Sequence, residues 1–374
     1  MKITGFDIYV FSLPFSKTFS LKGNLISKRE GLLIRLTSLD GVAGFGEISP
    51  LPGFSRESLK EARQQVLSLR LEILNKYTVY GETLFRNTSH LFPSVRFGFE
   101  TAVLNLLASH NLSFQNALVG NPDEAIIRPP TETFGGDNKN IPIIGLLGGS
   151  IEDVVSEAQR MRKEGFRSFK LKVGSKNMAR EIEKVRRVQD LLKNQGTLRL
   201  DANRFWKFEE ALRFGKALKK KSIEYIEEPF KNISTHLPRV TEFFKKTGIP
   251  VALDESLSGM NPKNFKPLKG LKAFILKPTI LGGIEKTRRW IQRAKALKVQ
   301  AVISSAFESG VGLSMLAQLA ASFDGLPAGL DTYKYFSKDL LIKPLQMDRG
   351  SFIIPPWPLR EENLDFTLLT RCNE

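Results

Sequence analysis

The feature that most limits how this chain can fold is a period. From residue 141 onward, short aliphatic runs recur: IPIIGLL (141–147), SFKLKVG (168–174), TLRLDAN (197–203), IEYIEEP (223–229), IPVALDES (249–256), KAFILKP (272–278), VQAVISS (299–305) and PAGLD (327–331). Corresponding positions, from Lys170 through Asp201, Glu227, Asp254, Lys277 and Ser304 to Asp331, fall about 27 residues apart. Between the runs, stretches such as MAREIEKVRRVQDLLKN and IEKTRRWIQRAKAL carry apolar residues at three- and four-residue spacing, as amphipathic helices do. About 27 residues is enough for one strand, one helix and their loops, and right-handed crossovers make such strands parallel. Eight units in series predict an α/β fold, a TIM-type barrel. An open doubly wound sheet would carry a Gly-rich phosphate loop after its first strand, and GLLGGSIED does not fit that fingerprint.

Residues 1–135 follow a different pattern. ITGFDIYVFSLPF and EGLLIRLTSLDGVAGFGEISPL predict an antiparallel meander that turns at Leu39-Asp40-Gly41, and ESLKEARQQVLSLRLEIL and SVRFGFETAVLNLLASH predict helices. An α+β domain is therefore expected over 1–135, the barrel over 136–331, and a segment over 332–374 that returns to the first domain. A chain of 374 residues suits this division. No apolar run reaches the ~18–20 residues that span a bilayer, and MKITGFDIYVFSLPF begins like a strand rather than a signal peptide. The single cysteine, Cys372, cannot form an internal disulfide, so a cytoplasmic location is expected, with Cys372 a spare surface thiol. The net charge of +17 is spread over helix-like stretches such as KALKKKSIEY, which predicts solvated helix faces rather than a nucleic-acid surface.

The candidate chemistry lies at the strand ends. In FKLKVG, Lys170 and Lys172 share one face of a strand whose other face carries Phe169, Leu171 and Val173. In RLDAN, Arg199, Asp201 and Asn203 share a face in the same way, expected to point to the barrel mouth. Glu227 and Glu228, Asp254 and Glu255, Lys277, and Ser304 and Ser305 end the strands that follow. The active site of a TIM barrel is at these ends, and charges there must be paired because desolvation costs several kcal/mol each. Asp201, Glu227 and Asp254 offer hard oxygen ligands on consecutive strands with no His or Cys among them, which favours Mg²⁺ and permits Mn²⁺. Lys170 and Lys172 on one side and Lys277 on the other would flank that metal. A lysine near other cations and partly desolvated is expected to have a lowered pKa and to act as a base.

FKLKVG, RLDANRFW, YIEEPF, VALDES and FILKPTILGG resemble, in order and spacing, the signatures of the muconate-lactonizing subgroup of the enolase superfamily. That resemblance implies an α+β capping domain on a modified (β/α)₇β barrel, and proton abstraction α to a carboxylate assisted by Mg²⁺. It implies Lys172 as general base, Lys170 as the group that tunes it, and Lys277 on the opposite face of the substrate. Asp201, Glu227 and Asp254 become the metal ligands, and Arg199, Asn203 and Glu255 supporting groups. GFGEISPLPGFSRESL, AVISSAFESGVGLSMLAQLAA and GLDTYKYF resemble the o-succinylbenzoate synthases of menaquinone biosynthesis. This adds a small anionic substrate, a capping loop with Gly53, Phe54 and Ser55, and substrate contacts from Ser304 and Ser305. Dipeptide epimerisation, N-succinylamino acid racemisation and muconate cycloisomerisation are the rival reactions on the same scaffold. One departure is Ile144-Gly145, where many relatives carry Asn before the glycine.

Overall fold

Alternating apolar residues shape the first domain into a sheet with two covered faces. The computed structural model describes residues 2–21, 24–74, 88–110, 140–193, 195–323 and 325–372. β1 (Ile3–Leu21), β2 (Asn24–Ser38) and β3 (Ala43–Ile48) form an antiparallel meander, and the chain turns from β2 to β3 through Leu39, Asp40 and Gly41. Phe6 and Ile8 pair across to Leu36 and Ile34, and this face packs on α1 (Leu59–Leu74) and α2 (Pro93–Ser109). The other face carries Phe11, Leu13, Leu33 and Phe45 against the C-terminal segment. α2 is buried at nearly every position from Pro93 to Leu107. Its all-round apolar pattern has a physical reason, because it is enclosed between the sheet and the second domain.

β1 is longer than ITGFDIYVFSLPF predicts. It continues through Phe19 and Leu21, which pair with Ile26 and Asn24 of β2, and Phe15 bridges to Phe336. Phe19 stacks on Phe307, their ring centroids 5.2 Å apart. These aromatic contacts lie at the barrel mouth, so long-range packing extends the strand where local pattern does not.

In the second domain, β4 (Asn140–Pro142) precedes seven parallel strands: β5 (Ile144–Leu147), β6 (Ser168–Lys172), β7 (Thr197–Asp201), β8 (Ile223–Glu227), β9 (Val251–Leu253), β10 (Leu271–Leu276) and β11 (Gln300–Ile303). They lie side by side in chain order. Residues 328–329 supply the eighth strand, since Ala328 bridges in parallel to Ile143 and Gly329 to Ser304. The Ile144 N–H donates to the Ala328 carbonyl at 2.8 Å and the Gly329 N–H to the Ile303 carbonyl at 2.8 Å, which closes the ring. The barrel is thus the expected (β/α)₇β form. Ile144, Tyr225, Ala252, Ala273, Ile275 and Val302 fill its interior.

The crossover helices α3 (Ile151–Lys163), α4 (Met178–Leu192), α5 (Phe208–Ala217), α6 (Pro238–Thr247), α7 (Gly283–Leu297) and α8 (Gly310–Ala321) cover the outside. α4 buries Val185, Val188 and Leu192 at helical spacing while its arginines face water. β12 (Met347–Asp348) and β13 (Ser351–Ile353) join β4 in a small antiparallel sheet, and β14 (Leu369–Arg371) pairs with β1. That last pairing corrects the reading of Cys372. The thiol is buried, because the Cys372 N–H donates to the Ile8 carbonyl at 2.8 Å and draws the residue into the first domain's core. Among the described residues no helix is long and apolar enough to cross a membrane.

α2 can lie directly on β3 only because both backbones are bare where they meet. A Cβ at Gly46 would stand 1.9 Å from the Gly98 carbonyl oxygen, and one at Gly44 would stand 2.3 Å from the Ala102 carbonyl oxygen. Gly46→Ala is therefore expected to lower stability by about 2 kcal/mol or more, through forced separation of α2 from the sheet. Urea unfolding monitored by circular dichroism measures it, and an unchanged midpoint would contradict this account of the packing.

Candidate active site

Parallel register brings the strand-end charges to one level. Lys172 of β6 lies opposite Asp201 of β7, and Asp201 opposite Glu227 of β8. Asp254 follows β9, Lys277 follows β10 and Ser304 follows β11. Side chains alternate along each strand, so these residues point inward while Leu171, Leu200 and Ile226 pack beneath the helices. The Lys170 ammonium lies 2.8 Å from Asp201 Oδ2 and 2.5 Å from Glu227 Oε2. The Lys277 ammonium lies 2.5 Å from Asp254 Oδ2. β6 and β10 are four strands apart in a ring of eight, so Lys172 and Lys277 approach from opposite walls.

The three lysines differ in their surroundings. Burial works against the charge on Lys170, but Asp201, Glu227 and Asp254 outweigh it and hold the ammonium well above the usual lysine range. Burial likewise opposes the charge on Lys277, and Asp254 and Glu255 overcome it, so its pKa is also raised. The expectation of lowered lysine pKa values is thus corrected for both, because each lies nearer to carboxylates than to other cations. Lys172 is exposed to the cavity, and among the described residues it takes part in no ion pair.

The acids are supported from outside. The Asn203 side chain donates to Asp201 Oδ1 at 2.7 Å, and its backbone N–H donates to the same oxygen at 3.1 Å. Burial opposes ionisation of Asp201, but Lys170, then Lys277 and the Asn203 N–H, hold its carboxyl below the usual range. Burial raises Glu227 to about 7; Lys170 opposes the shift, and the charges of Asp201 and Asp254 reinforce it. Glu228, which the sequence placed at a strand end without a role, accepts the Asp254 N–H at 2.8 Å, the Ser256 N–H at 3.0 Å and the Ser256 hydroxyl at 2.7 Å. It thereby fixes the turn that carries Asp254. Glu255 is half-buried beside that turn and acts on Lys277 through its charge.

The donor set fits a hard divalent cation. Three carboxylates from adjacent strands with no soft ligand between them suit Mg²⁺, and the like charges that raise Glu227 are the kind a cation relieves. Among the described residues no three such side chains are closed around one point, because the ammonium groups of Lys170 and Lys277 lean on them.

A cavity of about 800 Å³ opens above this layer, between the barrel mouth and the first domain. Phe54 reaches into it from the PLPGFS loop, and Lys277 lies 5.9 Å from the centre of its ring. Gly53 and Ser55 do not reach it. They line a neighbouring cavity of about 400 Å³, where Gly53 turns with φ +78° and the Ser55 hydroxyl accepts the Leu51 N–H at 2.8 Å. Their place is in the turn of the capping loop rather than on the wall of the main cavity. Ser304 and Ser305 line the main cavity, but both hydroxyls donate to the Gly329 carbonyl, at 3.4 and 3.1 Å, where the eighth strand closes.

Arg199 is also corrected. It is wholly buried one layer below the mouth, where it donates to Glu224 Oε2 at 2.6 Å and to the Pro327 carbonyl at 2.9 Å and lies over Tyr225. Two residues earlier than Asp201 on the strand means one layer deeper in a barrel, not the same mouth. The sequence reading also missed Lys17 and Phe19 on the β1 extension and Lys334 and Tyr335 beyond the barrel, all on the cavity wall. GLDTYKYF was a visible signal for the second pair; nothing local marks the first.

The family described as "Enolase C-terminal domain-like" matches residues 153–358, and "MenC, N-terminal domain" matches residues 3–106. An o-succinylbenzoate synthase of Pasteurella multocida is 32% identical over 372 residues, covering 95% of this chain and 93% of the relative. The chain belongs to the o-succinylbenzoate synthase family of the enolase superfamily. The family's synthase from Aliivibrio salmonicida is likewise 32% identical, covering 94% of this chain and 93% of that one. Among solved structures, the L-Ala-D/L-Glu epimerase of Bacillus subtilis superposes with a TM-score of 0.80 at 21% identity, over 96% of this chain and 98% of that one. At that identity the likeness is one of fold.

Removal of Arg199 tests its structural place. Arg199→Met leaves Glu224 without its buried partner and is expected to lower stability by about 3 kcal/mol, while Arg199→Met with Glu224→Leu recovers much of the loss. Urea titrations of the two variants read this directly. An unchanged midpoint in the single variant would return Arg199 to the mouth.

Proposed function

We propose that this chain is an o-succinylbenzoate synthase, a hydro-lyase of menaquinone biosynthesis. It removes water from 2-succinyl-6-hydroxy-2,4-cyclohexadiene-1-carboxylate to give 2-succinylbenzoate. The observation that carries this reading is Lys172, which among the described residues takes part in no ion pair, facing a carboxylate-held lysine, Lys277, across one cavity in a chain of this family. In its neutral form Lys172 takes the ring proton α to the carboxylate. The same group then returns a proton to the departing hydroxyl, so that one C–H and one C–O bond break, water leaves and the ring becomes aromatic. Lys277, fixed by Asp254 and adjacent to Phe54, stabilises negative charge that develops on the opposite ring face. Lys170 holds Asp201 and Glu227 in place beneath the substrate.

Asp201, Glu227 and Asp254 would hold Mg²⁺, and the same oxygen set accepts Mn²⁺. When bound, the cation supplies concentrated positive charge beside the substrate carboxylate. The substrate is a small dianion with no nucleic acid or membrane involved. Lys17 and Lys334, which lie 6.0 and 5.6 Å from the Tyr335 ring centre at the cavity wall, suit its anionic succinyl chain. In this reading the domain over 1–135, with the returning segment 332–374, covers the site, and the barrel over 136–331 carries out the chemistry, in the cytoplasm.

The test follows the ultraviolet absorbance of the cyclohexadiene. Wild type with Mg²⁺ is expected to consume it, EDTA to stop the reaction, and Lys172→Ala to slow it by about 10²–10⁴-fold. A folded, Mg²⁺-supplied wild type that leaves the diene untouched but racemises N-succinyl amino acids or epimerises dipeptides would overturn the reading.

A further inference from the structure

One buried guanidinium lies where the two domains meet, outside the catalytic layer. Arg29 of β2 is almost completely buried. Its Nη1 donates to the Pro50 carbonyl at 2.8 Å and its Nη2 to the Ser49 carbonyl. Its Nε donates to the Phe307 carbonyl at 2.9 Å, and Nη2 also reaches the Ala306 carbonyl at 3.4 Å. Both loops lead to the cavity wall. The first runs on through Leu51 to Phe54, and the second follows Ser304 and Ser305. A planar fork of donors can hold two backbones at once, as a single ammonium point charge cannot.

Two carboxylates complete the arrangement from either side. Glu47, wholly buried in the first domain, accepts the Ser49 hydroxyl at 2.7 Å, the Ser309 N–H at 3.1 Å, the Ser309 hydroxyl at 2.6 Å and the Gly312 N–H at 3.0 Å. Glu308, in the barrel, accepts the Ala306 N–H at 2.6 Å and the Thr279 hydroxyl at 2.5 Å. Both carboxylates offset the charge of Arg29. Thr279 stands two residues after Lys277, so the chain of bonds begins beside Lys277 and ends at the loop that lays Phe54 near its ammonium. Phe307 has φ +61°, a conformation that disfavours a bulky residue, and its carbonyl is one that Arg29 holds. Nothing local in the sequence requires that conformation; a fixed loop does.

We propose that Arg29, with Glu47 and Glu308, is a positioning residue that clamps the capping loop 49–55 to the barrel loop 304–309 and thereby keeps Phe54 over Lys277. Its catalytic consequence rests on the reading of Lys277 as the residue facing the substrate. The clamp itself does not.

The experiment compares full-length wild type with Arg29→Lys, Arg29→Met and Thr279→Val. Amide hydrogen exchange over 49–55 and 304–309 is measured beside kcat and KM for the cyclohexadiene. Thr279→Val loosens the barrel end of the network without unpairing a buried charge, so it remains informative if Arg29→Met does not fold. Arg29→Met is expected to speed exchange in both loops together by about tenfold and to raise KM more than it lowers kcat, with exchange in α4 unchanged. Arg29→Lys restores part of each effect, and Thr279→Val shows a smaller acceleration of the same kind. Unchanged exchange in the two loops of the folded variants would overturn the clamp. So would accelerated exchange with KM unaltered in a protein that consumes the diene. A wild type that does not consume the diene fails the functional reading alone, and hydrogen exchange then decides the clamp.

Discussion

Lys170 lies with its ammonium 2.8 Å from Asp201 and 2.5 Å from Glu227, at the level where β6, β7 and β8 end. Charges cannot stand unpaired at that depth, so the barrel mouth is viable only as a mutually neutralising set. The set in turn dictates register. A slip of one residue between β6 and β7 would turn Lys170 and Lys172 into the apolar layer under the helices and leave Asp201 and Glu227 facing one another. Ion pairing and strand pairing therefore specify each other. Below the cluster, Tyr225, Ala252 and Ala273 fill the barrel together with the Arg199–Glu224 pair, which keeps it shallow enough to meet a ligand.

The first domain contributes by covering this layer. It does so with the end of β1 and the loop after β3, which meet the barrel's own turn after β11. Phe19, Phe54 and Phe307 converge over the mouth from these three places. Their apolar rings narrow access for water, while the acids and lysines below remain the polar floor. Buried carboxylates make the joint firm. Glu100 of α2 accepts the Ile284 N–H at 2.5 Å and the Glu285 N–H at 3.1 Å, at the N-terminus of α7. A carboxylate there satisfies donors that the helix leaves open.

Much of the site was legible because strand alternation and the βα period act locally. Once FKLKVG, RLDAN, IEEP, ALDES and ILKP are read as strands of one parallel sheet, the inward direction of Lys172, Asp201, Glu227, Asp254 and Lys277 follows. Arg199 shows the limit of the same rule. Sharing a face with Asp201 says nothing about depth, and the barrel converts two residues along a strand into a separate layer with its own partner, Glu224. The lysine pKa values show a second limit. Their direction depends on which charges lie nearest, and Asp254 beside Lys277 is a contact across 23 residues of chain.

The sequence by itself determined the parallel barrel, the separate α+β domain and the ring of acids and lysines, because these depend on periodicity and on side-chain direction along single strands. Only the tertiary structure decided which of the three lysines is left outside an ion pair among the described residues, where Arg199 lies, and that Cys372 is buried against β1. It also decided that Arg29 would hold carbonyls of both domains and that β1 would reach the barrel mouth. Each of these depends on contacts between segments that the chain separates, by 23 residues for Lys277 and Asp254 and by 278 for Arg29 and Phe307, and such contacts exist only after the barrel has closed and the two domains have packed.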